Sequence, residues 1–367
     1  MRRAAAFACC LPILAACSDG KGDGSTRATP APDTTAARAA SPTTVRETTT
    51  TGPPARYAQT IDELLSIGRP IVLAHTAGED NFPASTLFAF GESVKAGVDM
   101  LDLNVLLTKD GVLVVQHDET VDGSTNGTGA VADLTYDQIA ALDDAFWFTT
   151  DCGVCHENQQ PAAYLYRGIR TGEKPAPEGY TADDFAMPTF RQLVERFPDI
   201  PLNIEIKGEK EPAKAAADQL ATELRELGRA DASVVASFSD DIVSYFHAIA
   251  PDVEVSPGLT VLTAYVLDGT PMPDGMRILQ LPPEFGGLKV ITPQLIATSK
   301  KAGYTIWVWP NNRSLENLES YRKFLDEGID GLNINFPEQG VRAVKEYMSL
   351  AAMSLAAMSL AAVAAAP

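Results

Sequence analysis

Apolar runs of strand length alternate with stretches of helical periodicity over about 280 residues from Pro70 onward. The strand-like runs read PIVLAH, VDMLDLNVLL, VLVVQH, PLNIEIK, SVVASF, VEVSPGL, RILQLP, YTIWVW and IDGLNIN. The helical stretches read STLFAFGESVKAG, EPAKAAADQLATELRELG, DDIVSYFHAIA, TPQLIATSKKAG and SLENLESYRKFLDEG. This alternation predicts an α/β fold with a parallel sheet covered by helices. About eight such units fit a (β/α)8 TIM barrel, and a doubly wound open sheet is the alternative.

The two ends of the chain lie outside this pattern. Residues 1–16 have a basic start, a short apolar core and Leu-Ala-Ala before Cys17, which is typical of a bacterial lipoprotein signal peptide. Cleavage there would leave Cys17 as the lipidated first residue, whereas a plain secretory leader is the alternative. Residues 17–56, rich in Thr, Ala, Ser and Pro, predict a flexible tether before a globular domain over 57–346. Residues 347–367 repeat MSLAA three times and predict a frayed, low-complexity tail.

Charge narrows the possible partners. The chain has 367 residues, with 48 acidic side chains against 29 basic ones, a formal net charge of −19. This argues against a generic nucleic-acid binder, which needs a basic face. An anionic substrate remains possible because a bound cation can reverse the local potential. We expect no nucleic-acid partner, and no protein partner is evident.

Polar side chains recur at the ends of the predicted strands. Because the carboxyl ends of barrel strands share one mouth, where active sites are built, we expect these side chains to lie together. They are His75, Asp102, Asn104, His117, Glu205, Lys207 and Trp309.

At this point the motifs resemble those of the glycerophosphodiester phosphodiesterase family. That family typically shows His-Arg-Gly, Pro-Glu-Asn-Thr, Glu-x-Asp, Thr-Lys-Asp-Gly, His-Asp and Glu-x-Lys. The corresponding segments here read HTAG, PAST, DLN, TKDG, HD and NIEIK, followed by MPTF, SF and GIDGLNINFPE. The resemblance covers about residues 69–344 and implies a TIM barrel, a divalent cation and two catalytic histidines.

Carried over motif by motif, the resemblance assigns a role to each candidate. His75 and His117 match the general acid/base pair, and Lys207 matches a phosphate-contacting base. Asp102, Asn104 and Glu205 match the metal ligands, for Ca²⁺ or Mg²⁺. Trp309 is a candidate for the substrate pocket by its place at a strand end.

The departures from the family pattern concern ligands and phosphate contacts. Asp102-x-Asn104 stands for Glu-x-Asp, and an amide oxygen is acceptable to Ca²⁺ but less attractive than a carboxylate. Thr76 replaces the arginine, Ala84 the glutamate, and Asn335 the aspartate usual near the last strand. Glu79, four residues after His75, is a candidate for the missing metal-binding acid.

Cys152 and Cys155 form a C-x-x-C-H segment with His156. Haem attachment and half of a zinc site are alternatives, but paired cysteines in an exported protein most simply form a local disulfide. That disulfide would pin a Pro- and Gly-rich insertion at about residues 147–180. Its position after the His117 strand predicts a lid over the barrel mouth.

These observations predict an extracytoplasmic, membrane-anchored lipoprotein that hydrolyses glycerophosphodiesters to glycerol 3-phosphate and an alcohol. Two alternatives stay open. One is a catalytically impaired protein that binds phosphodiesters, which Asn104, Thr76 and Ala84 would favour. The other is a related barrel phospholipase acting on intact lipids, which a rim of exposed aromatic residues at the mouth would favour.

Overall fold

The computed structural model of the protein describes residues 57–364, except residues 151, 155, 157 and 158. The predicted signal peptide, Cys17 and the tether fall within residues 1–56 and lie outside the described residues.

Eight parallel strands form one sheet that nearly closes into a barrel. Their order is β5-β4-β3-β2-β1-β8-β7-β6, so β5 and β6 flank a seam without backbone pairing. This confirms the predicted TIM barrel over the open doubly wound sheet. The strands are β1 Ile71–Ala74, β2 Met100–Leu107, β3 Leu202–Ile206, β4 Ser233–Ala236, β5 Glu254–Val255, β6 Ile278–Leu281, β7 Thr305–Val308 and β8 Gly331–Ile334.

Helices alternate with these strands, and most of them cover the outer surface of the barrel. They are α1 Ile61–Leu65, α2 Leu87–Ala96, α3 Tyr136–Ala140, α4 Phe190–Arg196, α5 Lys210–Glu226, α6 Asp240–Ile249, α7 Leu259–Asp268, α8 Pro293–Lys301, α9 Leu318–Glu327 and α10 Pro337–Ala364. Helix α2 shows why the ends of a helix can be predicted from the sequence. The Thr86 hydroxyl accepts from the Ala89 N–H, and Gly97 ends the helix in the left-handed conformation.

The prediction was wrong in the segment VEVSPGL, which is a strand only at Glu254–Val255. Pro257 has no N–H to donate to a sheet, and α7 starts directly after Gly258. Sequence reading also missed a rim hairpin after β6, in which Glu284–Phe285 pairs with Leu288–Lys289 around two glycines. Leu113–Val115 forms an antiparallel strand on β2, as the Lys109-Asp110-Gly111 turn indicates.

Apolar contacts close the amino-terminal end of the barrel. Ile61 and Leu64 of α1 cluster with Leu73, Met100 and Trp307 from inside the barrel. The opposite, carboxyl-terminal end is therefore left for a site, which matches the usual arrangement in this fold.

The insertion and the carboxyl-terminal repeat differ from simple loops. Phe88 of α2 packs with Ala145, Ile169 and Phe185, so the insertion contributes its own apolar cluster.

Helix α10 carries the MSLAA repeat as far as Ala364, where we expected a frayed tail. None of the described helices combines the length and apolar character needed to cross a membrane.

Candidate active site

One cavity of about 660 Å³ opens at the carboxyl-terminal end of the barrel. It brings together most of the site residues predicted from the sequence. Those lining it are His75, Glu79, Asp102, His117, Glu205, Lys207 and Trp309. Asn104 is buried beside them and donates to a Glu205 carboxylate oxygen at 2.9 Å.

The loop after β1 folds back so that Glu79 returns to His75. Thr76 and Ala77 have φ of 42° and 68°, and Gly78 follows with 83°. A β-branched residue is rarely held in this region, and such strain concentrates at functional sites. The turn places a Glu79 oxygen 3.6 Å from His75 Nδ1, and the Thr76 hydroxyl donates to the other Glu79 oxygen at 2.9 Å.

Asn335 connects His75 to two carboxylates. Its Nδ2 donates to Glu79 and to Asp80, each at 2.9 Å. Since the amide nitrogen faces two acceptors, Oδ1 is the atom that faces His75 Nδ1, at 2.8 Å. An amide oxygen only accepts, so His75 carries a proton on Nδ1.

Charge around His75 keeps its ring protonated at neutral pH. Burial alone would lower the pKa of His75, but the carboxylates of Glu79 and Asp102 outweigh burial and raise it to about 10. Burial in turn would raise the pKa of Glu79, yet His75 and the Thr76 hydroxyl lower it to about 2. An imidazolium held in a cavity can serve as a proton donor.

The two ring nitrogens of His117 contact side chains of opposite charge. Its Nδ1 lies 2.8 Å from an Asp118 oxygen, and its Nε2 lies 3.3 Å from the Lys207 ammonium. Asp118 is a charged acceptor, because the hydrogen bond from His117 lowers the pKa of Asp118. Both contacts are satisfied when Nδ1 carries the proton and Nε2 keeps its lone pair. The ring centroids of His75 and His117 are 6.3 Å apart.

Polar side chains from two neighbouring strands lie beside the histidines in the cavity. Asp102 and Asn104 on β2 lie in register with Asn203 and Glu205 on β3. Asn203 Nδ2 donates to Asp102, and the Lys207 ammonium lies 3.0 Å from Glu205. Burial raises the pKa of Asp102, although His75 opposes the rise.

These side chains can hold a cation through oxygen ligands only if the Asn104 amide oxygen is one of the ligands. No three His, Cys, Asp or Glu side chains form a metal site in the part of the chain that the structure describes. However, the Asn104 Oδ1 is buried without a hydrogen-bond partner, which leaves one oxygen available beside Asp102 and Glu205. Carbonyl and carboxylate oxygens together suit Ca²⁺ or Mg²⁺. The oxygens of Glu79 are engaged by Asn335 and Thr76, so its place in a ligand set stays a prediction.

Sequence reading missed several polar residues of the cavity. Asn203 exchanges two hydrogen bonds with Gln280, at 2.9 and 2.8 Å. Its position two residues before Glu205 puts both on one face of β3, which was the available signal. Glu316 accepts from the Tyr321 hydroxyl and, at 2.9 Å, from the Asn335 N–H. Burial raises the pKa of Glu316 to about 7, and no pattern in its loop indicated this.

The insertion reaches the cavity through a short hairpin of Phe148–Thr149 and Gly153–Val154. Cys152, Gly153 and Val154 line the cavity wall. Cys152 is disulfide-bonded, and its predicted partner Cys155 lies outside the described residues. Part of the insertion therefore lies at the cavity, and its action as a lid stays a prediction.

Comparison with known proteins identifies the family to which the chain is similar. Residues 75–339 match the model of the glycerophosphoryl diester phosphodiesterase family. A glycerophosphodiester phosphodiesterase of Caldanaerobacter subterraneus subsp. tengcongensis is 29% identical over 280 residues, covering 76% of this chain and 99% of that protein. A glycerophosphodiester phosphodiesterase of Bacillus subtilis is 39% identical over 85 residues, covering 23% of this chain and 29% of that protein.

Solved structures of similar proteins share the fold, and two of them are described here. The glycerophosphoryl diester phosphodiesterase domain of a Mycobacterium tuberculosis protein has a TM-score of 0.58 at 21% identity, covering 75% of this chain and 98% of that one. An Oleispira antarctica phosphodiesterase in complex with the product sn-glycerol-3-phosphate has a TM-score of 0.57 at 17% identity, covering 77% of this chain and 99% of that one. Because the family model spans most of the chain, this protein belongs to the glycerophosphoryl diester phosphodiesterase family and is a phosphoric diester hydrolase.

Proposed function

We propose that the cavity hydrolyses glycerophosphodiesters to glycerol 3-phosphate and an alcohol by histidine acid/base catalysis that depends on a divalent cation. The observation that carries the proposal is the pair His75 and His117. Their rings face one cavity at 6.3 Å in different hydrogen-bonding states. The Oleispira antarctica neighbour, a phosphodiesterase in complex with the product sn-glycerol-3-phosphate, supports the product class.

Each histidine suits one half of the reaction. His117 keeps the lone pair on Nε2 and can take the proton of the attacking hydroxyl. His75 is protonated and can give a proton to the departing alkoxide, which needs one when the phosphorus–oxygen bond breaks. Asn335 and Asp118 hold the two rings in these roles through their contacts with Nδ1.

The remaining polar groups act on the phosphate. Lys207, held between Glu205 and His117, can contact a phosphate oxygen once substrate enters. Asp102, Asn104 and Glu205 would hold a divalent cation, and a cation there would neutralise the phosphate and the charge developing on it. Trp309 faces Phe238 edge to face, with ring centroids 6.0 Å apart, on the apolar side of the cavity.

The test is hydrolysis of glycerophosphocholine by the purified protein, with Ca²⁺ and Mg²⁺ added back after chelation. We expect cation-dependent release of glycerol 3-phosphate, with turnover lost at least about a thousandfold in His117→Ala. His247→Ala is the matched control, because His247 lies on α6 away from the cavity lining. Calorimetric titration of each cation adds a readout that does not depend on activity.

The outcomes separate the enzyme from a binding protein. Turnover that survives the loss of His117 would contradict the assigned role. Tight binding of the diester without turnover under every condition would favour the catalytically impaired alternative. Turnover only in Asn104→Asp would locate the impairment at the amide ligand.

We propose in addition that the protein is anchored outside the cytoplasm through Cys17. The support is the signal at residues 1–16 and the tether that follows. Mass spectrometry of the mature amino-terminal peptide should find a lipidated Cys17, and Cys17→Ser should move the protein from the membrane fraction to the soluble fraction. An unmodified mature terminus at another residue would favour the plain secretory leader.

A further inference from the structure

Asp80 is a buried carboxylate at the cavity that the proposed mechanism leaves without a role. Its side chain is 6% exposed and lines the cavity wall. One carboxylate oxygen lies 3.0 Å from the Arg313 guanidinium, and the other accepts from Asn335 Nδ2 at 2.9 Å. Burial raises the pKa of Asp80, whereas the hydrogen bond from Asn335 and the charge of Arg313 oppose the rise. Because burying a carboxylate is costly unless it is paired, Asp80 depends on both partners.

The contacts of Asp80 continue to the ring of His75. Asn335 uses both ends of its amide, since Nδ2 donates to Asp80 and Oδ1 faces His75 Nδ1 at 2.8 Å. An amide turned by half a rotation would place its NH2 group against the Nδ1–H of His75, where two donors would meet. Asp80 therefore fixes which end of the amide faces His75. Since Nδ1 is then engaged, the proton that His75 can give to the leaving oxygen is the one on Nε2.

Glu79 also accepts from this amide, at 2.9 Å, but water can compete for its oxygens. The Glu79 side chain is 34% exposed, against 6% for Asp80. A hydrogen bond to a charged acceptor is stronger where solvent is excluded. Asp80 is therefore the acceptor that holds the Asn335 amide more firmly.

Arg313 reaches Asp80 from a different part of the chain. It begins the short helical turn Arg313–Leu315, in the segment between β7 and α9. The Asn312 side chain caps this turn by accepting from a backbone N–H at 3.0 Å. The ion pair thus joins the loop after β1 to the loop after β7, and Asn335 joins both loops to the end of β8.

The insertion approaches the same carboxylate through the backbone of its short hairpin. Gly153 has a φ of 68°, a conformation that residues with a side chain rarely adopt. A Cβ atom at this position would lie 3.0 Å from Asp80 Oδ1 and 3.2 Å from the Glu79 carbonyl oxygen. The hairpin backbone therefore lies against the loop that carries both acids, and it contributes to the burial of Asp80.

We propose that Asp80 is a positioning residue for His75, that Arg313 holds Asp80 in place, and that the insertion hairpin keeps it buried. The inference rests on the proposed function, in which His75 is the proton donor. Asp80 and Arg313 act on the His75 ring through Asn335 and do not contact the substrate. The insertion then contributes to catalysis by bracing the loop after β1.

The first test compares kcat with KM for glycerophosphocholine in the full-length protein. Asp80→Ala should lower kcat about ten- to a hundredfold, with KM changed less than about twofold, because the proton donor is misplaced while the phosphate contacts remain. Arg313→Met should give a smaller loss of kcat. Arg313→Lys should recover most of that loss, since one nitrogen makes the contact with Asp80. Because Arg313 acts through Asp80, the double variant Asp80→Ala and Arg313→Met should lose no more than Asp80→Ala alone.

Two controls separate positioning from a general effect on folding. Arg69→Met removes an ion pair with Asp99, in which the side chains are 30% and 13% exposed, at the amino-terminal end of β1. This variant should unfold at a lower temperature with kcat unchanged. Gly172 lies in the same insertion with a φ of 80°, and no atom of the described residues beyond its chain neighbours lies within 4 Å of an added Cβ. Gly172→Ala therefore has a backbone strain similar to that of Gly153→Ala, but only Gly153→Ala should lower kcat.

A spectroscopic measurement tests the positioning without turnover. In chelated protein, the Nδ1 proton of His75 is observed by NMR and assigned by its loss in His75→Gln. Exchange of this proton with water should quicken at least about tenfold in Asp80→Ala and in Arg313→Met, but not in Arg69→Met. Should Asp80→Ala fail to fold, Arg313→Met makes the same comparison at a side chain that is 42% exposed.

Several results would overturn the inference. One is an unchanged kcat in Asp80→Ala, and another is a raised KM with kcat unchanged, which would indicate a substrate contact. Losses that multiply in the double variant would mean that Arg313 acts by another route. Equal activity of Gly153→Ala and Gly172→Ala would refute the role of the hairpin. If the parent protein turns over no diester, the proposed function fails, and unchanged proton exchange in every variant would then refute the positioning separately.

Discussion

Asn335→Asp restores the residue that the family resemblance leads one to expect, and we predict that it damages the protein. In the wild type, Nδ2 of Asn335 donates to Glu79 and Asp80 at 2.9 Å each. An aspartate at this position has no donor and adds a third carboxylate to the group. The carboxylates here lie in the loop after β1, and Asn335, directly after β8, carries the amide that bridges them.

The size of the effect follows from exposure. A hydrogen bond to a charged group contributes about 1.5–3 kcal/mol. The Glu79 side chain is 34% exposed, so its bond is worth about 1.5 kcal/mol, whereas Asp80, 6% exposed, loses about 3 kcal/mol. A stronger bond from protonated His75 to the new carboxylate returns about 1.5 kcal/mol. The net loss is about 3 kcal/mol, or roughly 5 °C in Tm for a domain of this size.

The assay is thermal unfolding of chelated protein between pH 5 and 8. The pKa of the new aspartate is raised by its two carboxylate neighbours, so the penalty is complete above that pKa and declines as pH falls. Asn335→Ala loses the same hydrogen bonds without the charge and should show a weaker dependence on pH. Adding Glu79→Gln to Asn335→Asp should recover about half of the lost stability, since the amide introduced at position 79 can donate to the carboxylate introduced at position 335.

An Asn335→Asp variant as stable as the wild type at pH 8 would refute this reasoning. So would a penalty that grows as pH falls. Either result would mean that Glu79 and Asp80 do not depend on the amide of residue 335.

Three further perturbations have definite expected results. Glu79→Gln should lower the pKa of His75 from about 10, seen by NMR of the ring nitrogens in chelated protein. The raised pKa of His75 stabilises the fold fully below pH 6.5, and this stabilisation is lost as pH rises toward about 10. The lowered pKa of Glu79 stabilises the fold fully above pH 4.5, and this stabilisation is lost as pH falls toward about 2. The Glu79→Gln variant should therefore be most destabilised between pH 4.5 and 6.5. Asn104→Asp should tighten calorimetric binding of Ca²⁺ or Mg²⁺ at least about tenfold, and unchanged binding would argue against a ligand there. Gly331→Ala should lower the free energy of unfolding by about 1–3 kcal/mol, since the new methyl would lie 2.4 Å from the Trp307 ring; chemical denaturation measures it.

The sequence by itself determined a parallel sheet covered by helices, for which a barrel was the first interpretation, and most of the polar residues that line the cavity. Strand-length apolar runs alternating with amphipathic helices leave few ways to bury both faces of a parallel sheet. Polar residues at strand ends then meet at one edge whatever the loops do, which is why His75, Asp102, His117 and Glu205 were found together. The capping signals at Thr86 and Gly97 are local, so they too were readable.

Only the tertiary structure decided how these residues pair. The role of Glu79 depends on a left-handed turn at Thr76 and on Asn335, which lies 256 positions further along the chain. The exposed apolar side chains that line the cavity also escaped prediction, because Leu259 and Leu288 look like ordinary core residues in the sequence. Hydrophobic periodicity shows that a face is apolar, but only packing shows whether that face meets the protein core or an open cavity.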